Sequence, residues 1–248
     1  MRAARRRVVG ALVAMVVVWP LLLAAGRWPR WWEWIASEQT PMTWLQSVIL
    51  VVVGCLAALV ALVLRQTGAT GRDRWSWWLL AAGFAALALD ERFAVHERVR
   101  DGFLAPRGVS VPFLPWVAPG DFLVMTIGLA GLVALPLVWS AVKPDRAART
   151  ALLVAVVLGV VAVGLDSIDP STWTVEGERL QQTLEEVVEQ ACGTALLACV
   201  TLRLLGLLET LLPAPPEIPA DPGTSTPASP PETAAPPEPS PRAGAASP

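Results

Sequence analysis

Seven acidic side chains and the only histidine of the chain lie in three short stretches, each within or at the end of a long apolar run. The residues are Asp90, Glu91, His96 and Glu97, then Asp166, and then Glu185, Glu186 and Glu189. Carboxylate oxygens and imidazole nitrogens bind hard or borderline cations, and they also exchange protons at working pH. These eight residues are therefore the candidate functional residues.

Three functions are compatible with this set. In the first, the seven carboxylates bind a divalent metal ion such as Mg²⁺, Ca²⁺, Mn²⁺ or iron, and His96 acts as a ligand or catalytic general base of a metal-dependent hydrolase. In the second, crowded carboxylates bind ions or protons in a transporter. In the third, they form interfacial salt bridges in a structural or accessory protein. The arginines available for such bridges are Arg92, Arg98, Arg100 and Arg179.

Composition places the chain in a lipid bilayer. The residues AVILMFWYC make up 54% of its 248 residues and charged residues only 16%, which is typical of several membrane-spanning helices. The net charge of −2 gives no reason to expect a nucleic-acid partner, so the bilayer and a small polar or lipid ligand are the expected partners. The three cysteines lie in apolar runs without CxxC spacing and are predicted to be packing residues.

Six apolar runs predict an all-α, six-span transmembrane bundle over residues 1–212. The expected spans are residues 8–25, 44–64, 75–95, 121–142, 150–167 and 182–203. The first run follows a basic segment but is about one bilayer deep, so we interpret it as a retained span. Residues 213–248 are rich in Pro, Ala and Ser and are predicted to be a disordered cytoplasmic tail.

The distribution of basic residues predicts the orientation. Ten Lys and Arg residues lie on the side of the termini, in residues 2–7, 65–74 and 143–149. Because short cytoplasmic segments are enriched in Lys and Arg, both termini are expected in the cytoplasm and the chain in the plasma or inner membrane.

The acidic stretches fall at one predicted depth. Counted from the cytoplasmic end of each span, Asp90, Asp166 and Glu189 lie 14 to 16 residues inside. At 1.5 Å per residue this is roughly 21–24 Å into a core about 30 Å thick. Three distant parts of the chain thus converge on one level, which predicts a shared pocket near the outer face.

Helical periodicity suggests which faces meet. In a continuous helix, Asp90 and Glu97 would share a face, with His96 about a quarter turn away. On the last span, Glu186 and Glu189 would form a stripe with Gln182 and Gly193, flanked by Glu185. That stripe is expected to face the interior, because carboxylates exposed to lipid are costly.

The motifs Asp-Glu-x4-His-Glu at 90–97 and Glu-Glu-x-x-Glu at 185–189 resemble a pattern in uncharacterised bacterial multi-pass membrane proteins. The resemblance covers residues 75–97 and 182–193, and it implies a six-helix integral membrane protein without an assigned activity. A more distant likeness is to membrane-embedded metal hydrolases of the alkaline ceramidase type. This chain departs from that pattern because it has one histidine where those hydrolases have several.

Overall fold

Long helices built from the apolar runs make up most of the fold. The structure is a computed structural model that describes residues 2–37, 39–114, 117, 119–120, 122–168 and 173–212. The α-helices are α1 Arg2–Gly26, α2 Pro41–Gln66, α3 Gly71–Phe93, α4 Val95–Val99, α5 Phe122–Val142, α6 Arg146–Asp166 and α7 Val175–Leu211. A π-helical turn and a 3₁₀ turn follow α4, at Arg100–Leu104 and Ala105–Arg107.

The predicted all-α fold is confirmed for the described residues. Two expectations lie outside them, namely the disordered tail at 213–248 and Asp121 as the first residue of the fourth span.

Five of these helices, not the six predicted, are long and apolar enough to cross a membrane: α1, α2, α5, α6 and α7. The exception is α3, whose 23 residues would reach about 35 Å. Its composition explains the difference. Charged residues at 72–74 and 90–92 limit the apolar part of α3 to the stretch between them, and this stretch contains three tryptophans. Indoles prefer the membrane interface to the hydrocarbon core, so the hydropathy of α3 falls below that of the other long helices.

Although α3 is less apolar, it packs along α2 as part of the bundle. The two helices are joined by residues 67–70, and such a short connection makes neighbouring helices antiparallel. Gly54 allows a close approach, because a Cβ atom added there would lie 3.4 Å from the Ala81 carbonyl oxygen. α2 also contacts α7, and α7 contacts α6 and α1, so α2 and α7 form the centre of the bundle.

An ionic cluster fixes one end of this bundle. The Arg5 guanidinium of α1 donates to the buried Asp145 carboxylate, which precedes α6, and to the Leu202 carbonyl oxygen of α7 at 2.9 Å. Its Nε also lies 3.8 Å from a Glu209 carboxylate oxygen. Asp145 additionally accepts from the Ala148 backbone N–H at 3.0 Å and so caps α6. The start of α1 and the end of α7 therefore meet at the same end of the fold.

α7 is longer than the predicted span at 182–203. It begins at Val175, because the Thr174 hydroxyl accepts from the Gly177 N–H at 3.2 Å and caps the helix. Acidic residues in the first turn, Glu176 and Glu178, also suit the positive end of the helix dipole. The 37-residue helix is about 55 Å long, so it extends beyond the hydrocarbon core.

Candidate functional site

A cavity of about 260 Å³ lies among α2, α3, α4, α5, α6 and α7. Seven of the eight predicted functional residues line it, and they come from all three acidic stretches of the sequence. They are Asp90, Glu91, His96, Glu97, Asp166, Glu185 and Glu189. The remainder of the wall is mainly apolar, from side chains such as Ile49, Ile127 and Leu196.

A hydrogen-bonded pair, Asp90 and His96, forms one wall. One Asp90 oxygen accepts from the His96 backbone N–H and the other lies against the His96 ring Nδ1, both at 2.8 Å. When Nδ1 carries the proton that this contact uses, Nε2 is left as a proton acceptor. Asp90 thus fixes the imidazole and caps α4 with the same carboxylate.

Ala94 makes this pairing possible. It has φ 47° and ψ 50°, the left-handed conformation that ends α3, and its N–H donates to the Asp90 carbonyl oxygen. A residue with a Cβ atom loses about 1–2 kcal/mol in this conformation. The expectation of one continuous helix through Glu97 is therefore wrong. Because the chain turns at Ala94, His96 and not Glu97 contacts Asp90, whereas Glu97 lies 3.4 Å from Arg100.

The α7 wall also differs from the predicted stripe. From α7 the cavity is lined by Glu185, Glu189, Gln190, Cys192, Gly193 and Leu196. Two members of the predicted stripe, Glu189 and Gly193, therefore lie on the wall, whereas Gln182 and Glu186 do not. Glu186 is buried where α7 meets α2, and its backbone carbonyl oxygen accepts from Gln46 Nε2 at 2.8 Å.

Two carboxyl groups from different helices lie next to each other on the cavity wall. They belong to Glu185 of α7 and to Asp166 at the end of α6. Gln181 secures the pair, because its Nε2 donates to Glu185 Oε2 at 3.0 Å and to the Leu165 carbonyl oxygen at 2.8 Å.

Sequence reasoning missed two glutamines on the cavity wall, Gln46 and Gln190. They are 5% and 0% exposed, and within the described part of the chain neither side-chain oxygen has a hydrogen-bond partner. Primary amides inside otherwise apolar helices are themselves a signal of a polar interior, and that signal was available in the sequence.

The seven predicted metal ligands are not arranged around one point. Within residues 2–212, as far as the structure describes them, no group of three or more His, Cys, Asp or Glu side chains could hold a metal ion. The six carboxylates at the cavity are instead distributed around its wall, and Glu186 lies at the α2 interface.

Replacing Asp90 with alanine is expected to destabilise α4 by about 1–2 kcal/mol. The helix loses the oxygen that caps it, and the His96 ring loses its hydrogen-bond partner. Hydrogen exchange measured by mass spectrometry should show faster exchange in peptides covering residues 95–104. Asp101→Ala, which removes a mostly exposed carboxylate from the following turn, is the matched control and should leave the exchange of residues 95–99 unchanged. Equal exchange in Asp90→Ala and the wild type would contradict the capping role.

The fold and the site together define the class of protein. Several long apolar helices that surround a cavity rich in carboxylates are characteristic of a multi-pass membrane protein with a polar interior. The chain belongs to the family described as "Domain of unknown function (DUF8692)", which matches residues 8–204. No curated protein and no solved structure matches the chain.

Proposed function

We propose that this protein binds a small cation in the acidic cavity. One observation carries the proposal. Six carboxyl side chains line the cavity, whereas none of the described residues on its wall is an arginine or a lysine. Negative groups gathered in a medium of low dielectric constant repel one another, and a positively charged ligand relieves that repulsion. The site is therefore selective for positive charge.

The size of the cavity indicates the kind of cation. At about 30 Å³ per water molecule, 260 Å³ holds about nine waters. That space suits a hydrated metal ion or a small organic ammonium compound better than a bare ion. The uncharged acceptors Gln46 and Gln190 add amide groups to the same wall, which suits a ligand that donates hydrogen bonds.

We further propose an orientation for this site. The start of α1 and the end of α7 meet at the Arg5 cluster, and the segments at this end carry most of the basic residues. The positive-inside rule supports a cytoplasmic location for this end of the bundle, in a plasma or inner membrane. The cavity, at the opposite end of α3 and α6, opens near the outer face and takes its cation from outside.

Glu189→Gln is expected to weaken cation binding at least tenfold, about 1.4 kcal/mol, because it removes one negative charge from the wall. The measurement is calorimetric titration of purified protein in micelles with methylammonium, Na⁺ and Mg²⁺ chlorides at constant ionic strength. The wild type should show saturable binding of at least one of the three.

Glu176→Gln is the matched control, since Glu176 lies on the same helix but is 75% exposed and pairs with Arg179. It should bind as the wild type does. Failure of all three cations to bind, or identical affinities in Glu189→Gln and the wild type, would refute the cation site.

The same site suits two further functions, hydrolysis and transport. The Asp90–His96 pair has the arrangement of an oriented general base, which favours hydrolysis assisted by a divalent metal ion. Transport of the bound ion, alone or coupled to protons, would instead require a flux. Proteoliposomes loaded with labelled methylammonium distinguish transport from binding, because only a transporter releases the label along an imposed gradient.

A further inference from the structure

A second cavity, of about 650 Å³, lies on the opposite side of α2 from the acidic cavity. It is a groove between α2 and α3, which we call the α2–α3 groove. Small and apolar side chains form most of its wall, among them Ala58, Ala81 and Ala85. Polar character is concentrated at one end, where Trp44 lies in the first turn of α2 and Arg92 in the last turn of α3.

The groove is long enough to cover the hydrocarbon of one membrane leaflet. Ala58 lies 14 residues beyond Trp44 on the α2 wall, or about 21 Å along the helix axis. Half of a hydrocarbon core about 30 Å thick is about 15 Å, so the groove extends beyond it to the level of the head groups. A groove of this length, closed by polar groups only at its outer end, accommodates an extended acyl chain whose polar head lies at the interface.

Arg92 supplies a charge for that head group. It is exposed, and among the residues that the structure describes it has no hydrogen bond, ion pair or ring contact. Of the carboxylates close to it in sequence, Asp90 contacts His96, Glu97 contacts Arg100, and Glu91 lines the acidic cavity on the other side of α2. An anionic partner stabilises a guanidinium group at the edge of the hydrocarbon core. A phosphate group suits this role, because its oxygens accept two parallel N–H hydrogen bonds from the guanidinium.

We propose that the α2–α3 groove binds one anionic phospholipid, with an acyl chain along α2 and α3 and the phosphate on Arg92. The half-exposed Trp44 indole lies at the head-group level, where tryptophan side chains concentrate. This site is independent of the acidic cavity, because its wall uses Ser47, Val51 and Ala88 where the cavity uses Gln46, Leu50 and Leu87. A zwitterionic lipid fills the groove equally well but offers no net negative charge to Arg92.

Native mass spectrometry tests this proposal on the full chain, in micelles containing equal amounts of phosphatidylglycerol and phosphatidylethanolamine with identical acyl chains. The wild type should retain one phosphatidylglycerol, at least tenfold in excess of phosphatidylethanolamine. Arg92→Gln should abolish that preference. Arg98→Gln, which removes another exposed arginine outside the groove, should preserve it.

A second pair of variants tests the acyl chain. Ala85→Phe places a ring in the groove and should reduce retention of both lipids tenfold, whereas Ala86→Phe, at an exposed position outside the groove, should not. The proposal is overturned if Arg92→Gln retains phosphatidylglycerol as the wild type does, or if Ala85→Phe has no effect. It is equally overturned if inorganic phosphate displaces the lipid completely, or if a second copy of the chain covers the groove in place of a lipid.

Discussion

Replacing Asp145 with alanine will lower the free energy of unfolding by about 3–5 kcal/mol, the cost of removing one partner from a buried ion pair. The Asp145 side chain is 8% exposed and Arg5 21%, so the arginine left behind stays largely shielded from water. The same change removes the cap of α6, since Ala148 loses its acceptor. The measurement is equilibrium unfolding in mixed micelles, followed by circular dichroism.

Two further variants separate the charge from the cap. Asp145→Asn keeps an oxygen for the Ala148 N–H, so it should be less destabilising than Asp145→Ala. The double variant Arg5→Met with Asp145→Asn should recover part of the loss, because no unpaired charge remains. If the double variant unfolds as easily as Asp145→Ala, the ion pair is not the source of the stability.

Trp77→Ala is expected to cost about 3–5 kcal/mol through the cavity it leaves in the core. Trp77 is 1% exposed and belongs to the main apolar cluster of the bundle. The neighbouring Trp78 provides a matched control, because it is 42% exposed and the same truncation there removes an indole from the surface. Thermal unfolding of both variants in one detergent measures the difference.

The two tryptophans test whether α3 is part of the core or lies at its edge. If α3 lay at the edge of the core, Trp77→Ala and Trp78→Ala would lower the stability by similar, small amounts. That result would show that the packing of α3 on α2 does not stabilise the bundle. A large effect confined to Trp77 would show that α3 contributes to the core although it is the least apolar of the long helices.

Helix positions were predictable from the sequence because uninterrupted apolar runs leave few alternatives in a bilayer. The convergence of Asp90, Asp166 and Glu189 on one cavity was also predictable, since depth depends only on residue counts along each helix. The depth of a residue along a helix does not depend on which way its side chain points. The predicted depths therefore remained useful although the predicted helix faces were partly wrong.

The faces themselves were harder to predict. Alanine favours helices, so nothing in the residue type at Ala94 signals a left-handed turn, and only the Asp90 contacts with His96 explain why it forms. The orientation of α7 depends on its packing against α2, where Gln46 binds the backbone at Glu186. Asp145 was overlooked because it lies in a short loop between two helices, where a carboxylate ordinarily faces water.

The Arg5 cluster has a consequence for how the chain is assembled during synthesis. Arg5 is made before both of its partners, since Asp145 follows 140 residues later and Leu202 197 residues later. α1 packs mainly against α7 and only slightly against α2, its neighbour in sequence. α1 must therefore remain in the bilayer without its main partner until α7 is inserted. Closure of the bundle is accordingly a late event, and a ribosome that stalls before residue 202 leaves α1 undocked.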